Sequence, residues 1–189
     1  MLTYKNPKAK PCGVCERLFV PVRPMMVVCS PACAMKKVRQ AKVEERAKVR
    51  TRKEAIKTIP DLIKEAQREF NAYIRARDAD QLCICCGNPL GTGEVGGAFD
   101  CGHYRSTGSA SHLRFDERNA HAQRKVCNRW GAGRAVDYRI GLVARIGLEA
   151  VEALESDNTP HKWIRDELIA IRNFYRGRLK EIRSNKDVL

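Results

Sequence analysis

The chain has 189 residues, with 36 Lys and Arg against 22 Asp and Glu, a net charge of +14, and aromatic side chains at only 6% of positions. So little aromatic material excludes one large core and points to small modules held by metals or cross-links. No apolar run is long enough to span a membrane, and Met1–Lys10 has no secretory apolar core, so the reading is a cytoplasmic protein whose partner is a polyanion.

Nine cysteines in a reducing compartment read as metal ligands rather than a disulfide framework, and their odd number argues against full pairing. The first group is Cys12-x-x-Cys15 and Cys29-x-x-x-Cys33. Two close pairs supply four thiolates, which close a tetrahedral Zn²⁺ site and leave no position for water. Residues 1–35 therefore read as an N-terminal four-cysteine zinc knuckle with a structural role.

Ser30-Pro31 is a helix start, a side-chain cap followed by proline in the first turn. The run behind it, residues 32–57, carries ten basic and three acidic side chains, a net +7. It has almost no apolar face and reads as a solvated helix or as an arm laid on phosphates. The residues assigned to nucleic acid are Lys36, Lys37, Arg39, Lys42, Arg46, Lys48, Arg50, Arg52 and Lys53, with Arg105 joining them from further along. After Pro60, the helical spacing of Ile63, Ala66, Phe70 and Ile74 predicts an amphipathic helix from about Asp61 to Asp78.

The second cysteine group lies in residues 80–134. Cys83-x-x-Cys86 opens it, Asp100-Cys101-Gly102-His103 and Asn119-Ala120-His121 follow, and Cys127-Asn128 closes it. This order fits a ββα-metal (HNH-like) nuclease core: a zinc knuckle of Cys83, Cys86 and Cys127, and a strand end facing a helix start. Phosphodiester hydrolysis needs a divalent cation, a base for water and a group that orients the base. Asp100 and Asn128 are the oxygen ligands for catalytic Mg²⁺ or Mn²⁺, His103 is the base, and Asn119 or its backbone is the orienter. The alternative for His103 is a zinc ligand completing the knuckle, and His121 reads equally as a ligand or a surface residue. His112 and His161 are assigned no chemistry.

Residues 135–189 read as helices. One runs from about Val136 to Ile146 and stops at Gly147, and a short one follows through Leu148, Val151 and Leu154. Thr159-Pro160 is read as the cap of a last helix with Ile164, Leu168, Ile171, Tyr175, Leu179 and Ile182 on one stripe. The fold class is thus mainly α with small zinc-stabilised α+β modules, in four segments: 1–35, 36–79, 80–134 and 135–189.

Several strings go beyond generic need. Lys10-Pro-Cys-Gly-Val-Cys15, Val28-Cys-Ser-Pro-Ala-Cys33, Phe70-Asn-Ala-Tyr-Ile-Arg-Ala-Arg-Asp78, Gly102-His-Tyr-Arg-Ser106, His112-Leu-Arg-Phe115, Cys127-Asn128 and Asp137-Tyr-Arg-Ile-Gly-Leu142 resemble the NinG/Rap recombination proteins of lambdoid phages. The order Cys-x-x-Cys, Asp/His, Cys-Asn is also similar to phage T4 endonuclease VII. The resemblance implies a structure-specific endonuclease acting on Holliday junctions, with Asp100 and Asn128 as metal ligands and His103 as base. It also implies a homodimer on a two-fold junction, working among host or phage recombination proteins. The rival readings are an HNH nicking enzyme without branch preference and a non-catalytic zinc protein that binds nucleic acid. The chain departs from the family pattern Cys-x-x-Cys-Asn at Arg124-Lys-Val-Cys127-Asn128, carrying Arg124 where that pattern has its first cysteine. Cys85 or Cys101 is the candidate replacement for the missing thiolate.

Overall fold

Cys12 and Cys15 sit in the tight turn between two short antiparallel strands, β1 (Lys10–Pro11) and β2 (Leu18–Phe19). This is a computed structural model, describing residues 8–23, 25–91, 99–131 and 133–186. Glu16 takes a left-handed conformation with φ 59°, which closes the turn behind the second sulfur. Cys29 then leads into α1 (Pro31–Ala55), where the Ser30 side chain accepts a hydrogen bond from the Cys33 N–H at 3.3 Å. Only Cys33 is buried along these 25 residues, so the helix is anchored at its sulfur end and solvated beyond it. The knuckle and the basic helix form one compact unit, Met1–Lys57, and the rest of the chain forms a second, Thr58–Leu189. The expected border at residue 35 therefore falls inside α1.

The second unit begins with α2 (Ile59–Arg77). Its N-terminus is closed by a reciprocal box: Thr58 caps the Asp61 N–H, and the Asp61 carboxylate accepts from the Thr58 N–H at 3.0 Å. The helix thus starts two residues earlier than Pro60 alone implied. It buries Leu62, Ala66, Phe70, Tyr73 and Ile74. Against that face lies α5 (Arg165–Lys186), which contributes Leu168 and Tyr175 to the same core. Arg172–Glu65 at 2.6 Å and Arg176–Glu69 at 3.1 Å flank the seam.

Two corrections concern this last helix. Thr159-Pro160 does not cap it; residues 157–164 run without helix, and α5 starts at Arg165. Trp163 holds that segment down, its ring edge-on to Phe115 at 4.9 Å and its Nε1 donating to the Ser111 carbonyl at 3.2 Å. Ile164, expected on the stripe, consequently lies outside the helix and is exposed. Because Leu168 and Tyr175 pack on α2, a homodimer contact would need a face other than this stripe.

A two-stranded antiparallel sheet of β3 (Phe99–His103) and β4 (Ala120–Arg124) packs on α2. On its other flank, α3 (Ala135–Ile146) and α4 (Leu148–Ser156) meet at Gly147, whose φ of 87° ends one helix and starts the next. Their core joins Tyr138, Leu142, Val151 and Leu154 to Ile84, Ala110 and Leu113. Gly141 allows this closeness, since a Cβ there would lie 1.8 Å from the Ile84 carbonyl oxygen. The architecture is mainly helical with two small antiparallel sheets.

Candidate active site

The register of the hairpin sets the site. Asp100 pairs with Gln123 and His103 with Ala120, so the carboxylate and the imidazole stand near opposite ends of β3. Gly102 between them has no room for a side chain, as an added Cβ would lie 2.1 Å from Gln123 Oε1. Tyr138, fully buried, donates from its hydroxyl to the Gly102 carbonyl at 3.0 Å and ties the strand to α3.

The chain leaves β4 through a single π-helical turn, Val126–Trp130. Asn128 lies on this turn rather than at the start of a long helix, and turns of this kind recur at functional sites. Its Nδ2 donates to Asp100 Oδ2 at 3.1 Å, so the hairpin brings the two expected metal ligands together. Arg129, next in the chain, grips both carboxylate oxygens, Nε to Oδ2 at 2.8 Å and Nη2 to Oδ1 at 3.0 Å. Partial burial raises the Asp100 carboxyl, but the Arg129 fork and the Asn128 amide outweigh it and hold the group below its ordinary range.

His103 and Asn128 line one cavity of about 340 Å³, together with Cys101, Tyr104, Thr107 and Tyr138 among others. The His103 ring packs against Phe70 with centroids 5.9 Å apart, and burial lowers its pKa below the usual imidazole value. Its Nε2 lies 3.0 Å from the Arg114 carbonyl, an acceptor, so Nε2 carries the proton and Nδ1 keeps the lone pair.

Asn119 does not touch that ring. It is fully buried; its Oδ1 accepts from the Arg105 N–H at 2.8 Å, and its Nδ2 donates to the carbonyls of Arg105 and Leu113 at 3.0 and 3.1 Å. The group that holds the ring is therefore the Arg114 carbonyl rather than the expected Asn119, which instead fastens the backbone at Arg105 and Leu113. Arg105 is likewise not free for nucleic acid. Its guanidinium donates to the carbonyls of Leu154 at 2.9 Å and of Asp157, and to Asn158 Oδ1 at 2.7 Å, closing the C-terminal end of α4.

His121 is not a surface residue. It is buried, with Nδ1 3.1 Å from Arg77 Nη2 and Nε2 3.2 Å from the Arg118 carbonyl. Arg77 also grips Asp78, whose carboxylate accepts from the Ala122 N–H at 2.9 Å. Burial raises that carboxyl, but His121 and Arg77 pull it far below the ordinary range. The lone strong signal for this network was the Arg77-Asp78 pair at the end of a helical pattern.

All nine cysteines are free thiols, and two groups have sulfurs within 4.8 Å of one another: Cys12, Cys15, Cys29 and Cys33, and Cys83, Cys86 and Cys127. In the first, the Cys15–Cys29 and Cys29–Cys33 sulfurs are 3.5 and 3.7 Å apart. Tetrahedral zinc with Zn–S of about 2.3 Å requires sulfur separations of roughly 3.8 Å, so the set fits that ion. The Cys15 sulfur beside it pushes the Cys29 thiol up to about 12.

The second group has three sulfurs. The Arg124 N–H donates to Cys83 Sγ at 3.3 Å, so the backbone there keeps the geometry of a knuckle while the side chain cannot ligate. Neither candidate replacement lies within 4.8 Å of all three sulfurs, although Cys85 neighbours Cys83. Cys101 packs against the α2 core, and Cys85 accepts from Gln123 Nε2 at 2.6 Å and faces the Gly133 carbonyl. His103, held by Arg114, does not complete it either.

In the first unit, Lys36, Lys37, Arg39, Lys42, Arg46, Lys48, Arg50, Arg52 and Lys53 are all exposed on α1. No described helix is long and apolar enough to cross a membrane.

Comparison with known proteins gives one consistent answer. The family described as Bacteriophage Lambda NinG protein matches residues 4–185. The chain is 38% identical to protein ninG of Salmonella phage P22 over an alignment of 191 positions that covers 91% of this chain and 92% of that protein. It is 38% identical to protein ninG of Escherichia phage lambda over an alignment of 191 positions (91% of each chain). With protein ninG of Escherichia phage 933W the identity is 36% over an alignment of 200 positions that covers 96% of this chain and 97% of that protein. No solved structure matches the chain.

Proposed function

This chain belongs to the NinG family, and on that basis we propose that it is a metal-dependent endonuclease that cuts branched DNA such as Holliday junctions. The observation that carries the reading is the juxtaposition of Asp100 with Asn128, and of Asn128 with His103 around one cavity. A protein that only bound DNA would have no use for a neutral, half-buried imidazole that shares a cavity with the amide partner of a carboxylate.

Asp100 and Asn128 offer hard oxygen donors, and Mg²⁺ or Mn²⁺ sites commonly use one or two such groups with water and substrate phosphate completing the shell. When bound, the cation supplies neutralisation of the charge that develops on the phosphate. His103 Nδ1 would take the proton of the attacking water, whose oxygen forms a new P–O bond as the scissile one breaks; the leaving oxygen departs with the bonding pair and takes a proton from solvent. The Arg114 carbonyl fixes the tautomer and stabilises the protonated ring that results. The exposed cations of α1 supply further contacts to DNA phosphates. Zinc in the four-cysteine set and in the three-sulfur set serves the fold.

The test is incubation of the protein with an end-labelled four-way junction and a linear duplex of the same sequence, with Mg²⁺ or with EDTA. The proposal requires Mg²⁺-dependent cuts near the branch point and little on the duplex. Equal cutting of both substrates would assign a nuclease without branch preference, and binding without cuts would assign an accessory protein.

A further inference from the structure

Arg129 occupies a position that neither hydrolysis nor folding demands. Its side chain is 57% exposed, yet it spends both fork nitrogens on Asp100, at 2.8 and 3.0 Å. Bidentate pairing of this kind fixes both oxygens of the carboxylate. Asn128 shares one of those oxygens, Oδ2. A divalent cation seeking Asp100 therefore meets a carboxylate on which three hydrogen bonds already occupy most of the roughly four lone-pair sites.

We propose that Arg129 is a gating residue: it competes with the divalent cation for Asp100 and, once displaced, turns its fork to a DNA phosphate. The proposal rests on the reading of Asp100 as a metal ligand. Three features support the hand-off. Arg129 is exposed and sits on a short π-helical turn, so its side chain can leave without unpacking a core. Guanidinium binds phosphate with the same two-pronged geometry it uses on carboxylate. A cation on Asp100 draws on the same two oxygens as the Arg129 fork, so each bound partner weakens the hold of the other. Metal and DNA then reinforce one another by linkage, each binding better when the other is present.

The experiment measures Mn²⁺ affinity of the full-length protein by electron paramagnetic resonance of the free ion, with the cysteine sites kept in zinc. Arg129→Gln is expected to tighten Mn²⁺ about fivefold, which is ~1 kcal/mol at 1.4 kcal/mol per decade. Lys125→Gln removes another cation that attracts Asp100 and is expected to change the affinity less than twofold. Asp100→Asn is expected to abolish binding at the site. The second measurement is four-way junction affinity with Ca²⁺ and with EDTA. Arg129→Gln should weaken binding about fivefold with Ca²⁺ and less than twofold with EDTA, and Arg129→Lys should recover part of the loss.

Arg129→Gln binding Mn²⁺ no better than wild type, while Asp100→Asn abolishes it, would overturn the gate and leave the active-site reading standing. A Mn²⁺ affinity untouched by Asp100→Asn would overturn that reading and the gate with it. An equal loss of junction affinity in Ca²⁺ and in EDTA would overturn the hand-off.

Discussion

Asn119 offers a prediction whose sign separates a positioning role from direct participation in chemistry. Its fully buried amide makes three hydrogen bonds: one accepted from the Arg105 N–H and two donated to the Arg105 and Leu113 carbonyls. Arg105 stands two residues beyond His103, and Leu113 immediately precedes Arg114, whose carbonyl holds the imidazole. Asn119→Ala leaves one N–H and two carbonyls buried without these partners. At about 1 kcal/mol each, the loss is about 3 kcal/mol, or roughly 6–12 °C in thermal midpoint. Asn119→Asp is nearly isosteric but worse. Its carboxylate still accepts from Arg105 yet sets a charged oxygen against two carbonyls, and a protonated acid can donate to only one of them. The folded-state pKa of that aspartate is therefore raised above its unfolded value of about 3.9. Its contribution is fully present below the unfolded pKa and is lost as pH rises through the folded pKa, at up to about 1.4 kcal/mol per unit. Melts of wild type, Asn119→Ala and Asn119→Asp at pH 6 and pH 8, with zinc present, check this. Asn119→Asp should fall below Asn119→Ala at pH 8 and recover toward it at pH 6. An Asn119→Asp protein as stable as wild type at pH 8 would refute the assignment of the amide.

Three further outcomes follow from the same structure. Arg124→Cys, placed where the backbone already donates to Cys83 Sγ, should raise zinc retention under chelator challenge and raise the midpoint, while Cys85→Ser and Cys101→Ser leave zinc content unchanged. A loss of one zinc in either serine variant would contradict the three-sulfur assignment. Replacing Lys and Arg of α1 between Lys36 and Lys53 with Gln should flatten the dependence of log DNA affinity on log salt by about 0.9 for each phosphate no longer neutralised; an unchanged slope would place the DNA surface elsewhere. Because burial lowers the His103 pKa, the neutral ring is the major form down to a pH below the usual ~6.5, so cleavage should rise with pH through a midpoint under that value and then level off. A midpoint above pH 7 would show that a different group titrates.

Elements governed by local rules were legible in the sequence. Ser30-Pro31 starts α1, Gly147 divides α3 from α4, and the close cysteine pairs converge as their spacing implied. The pairing of Asp100 with Asn128 was also legible, because the hairpin register returns one chain segment beside the other. What escaped depends on contacts distant in sequence. Arg105 looked like a surface cation until the end of α4 arrived to receive it. The partner of His103 is a main-chain carbonyl, which has no side-chain signature. The start of α5 is set by Trp163 docking on Phe115, and that contact overrides the local Thr-Pro signal.

If Asp100, Asn128 and His103 form one hydrolytic centre, removing either the carboxylate or the imidazole must stop the chemistry and spare the binding. Single-turnover cleavage of a labelled four-way junction in Mg²⁺ by wild type, Asp100→Ala and His103→Ala, with junction affinity measured in parallel, separates the two. His103→Ala should cut roughly 10²–10⁴-fold more slowly while binding the junction as wild type does, and Asp100→Ala should be impaired at least as severely. A His103→Ala protein that cuts at the wild-type rate would show that the imidazole is not the base and that this centre does not carry the hydrolysis.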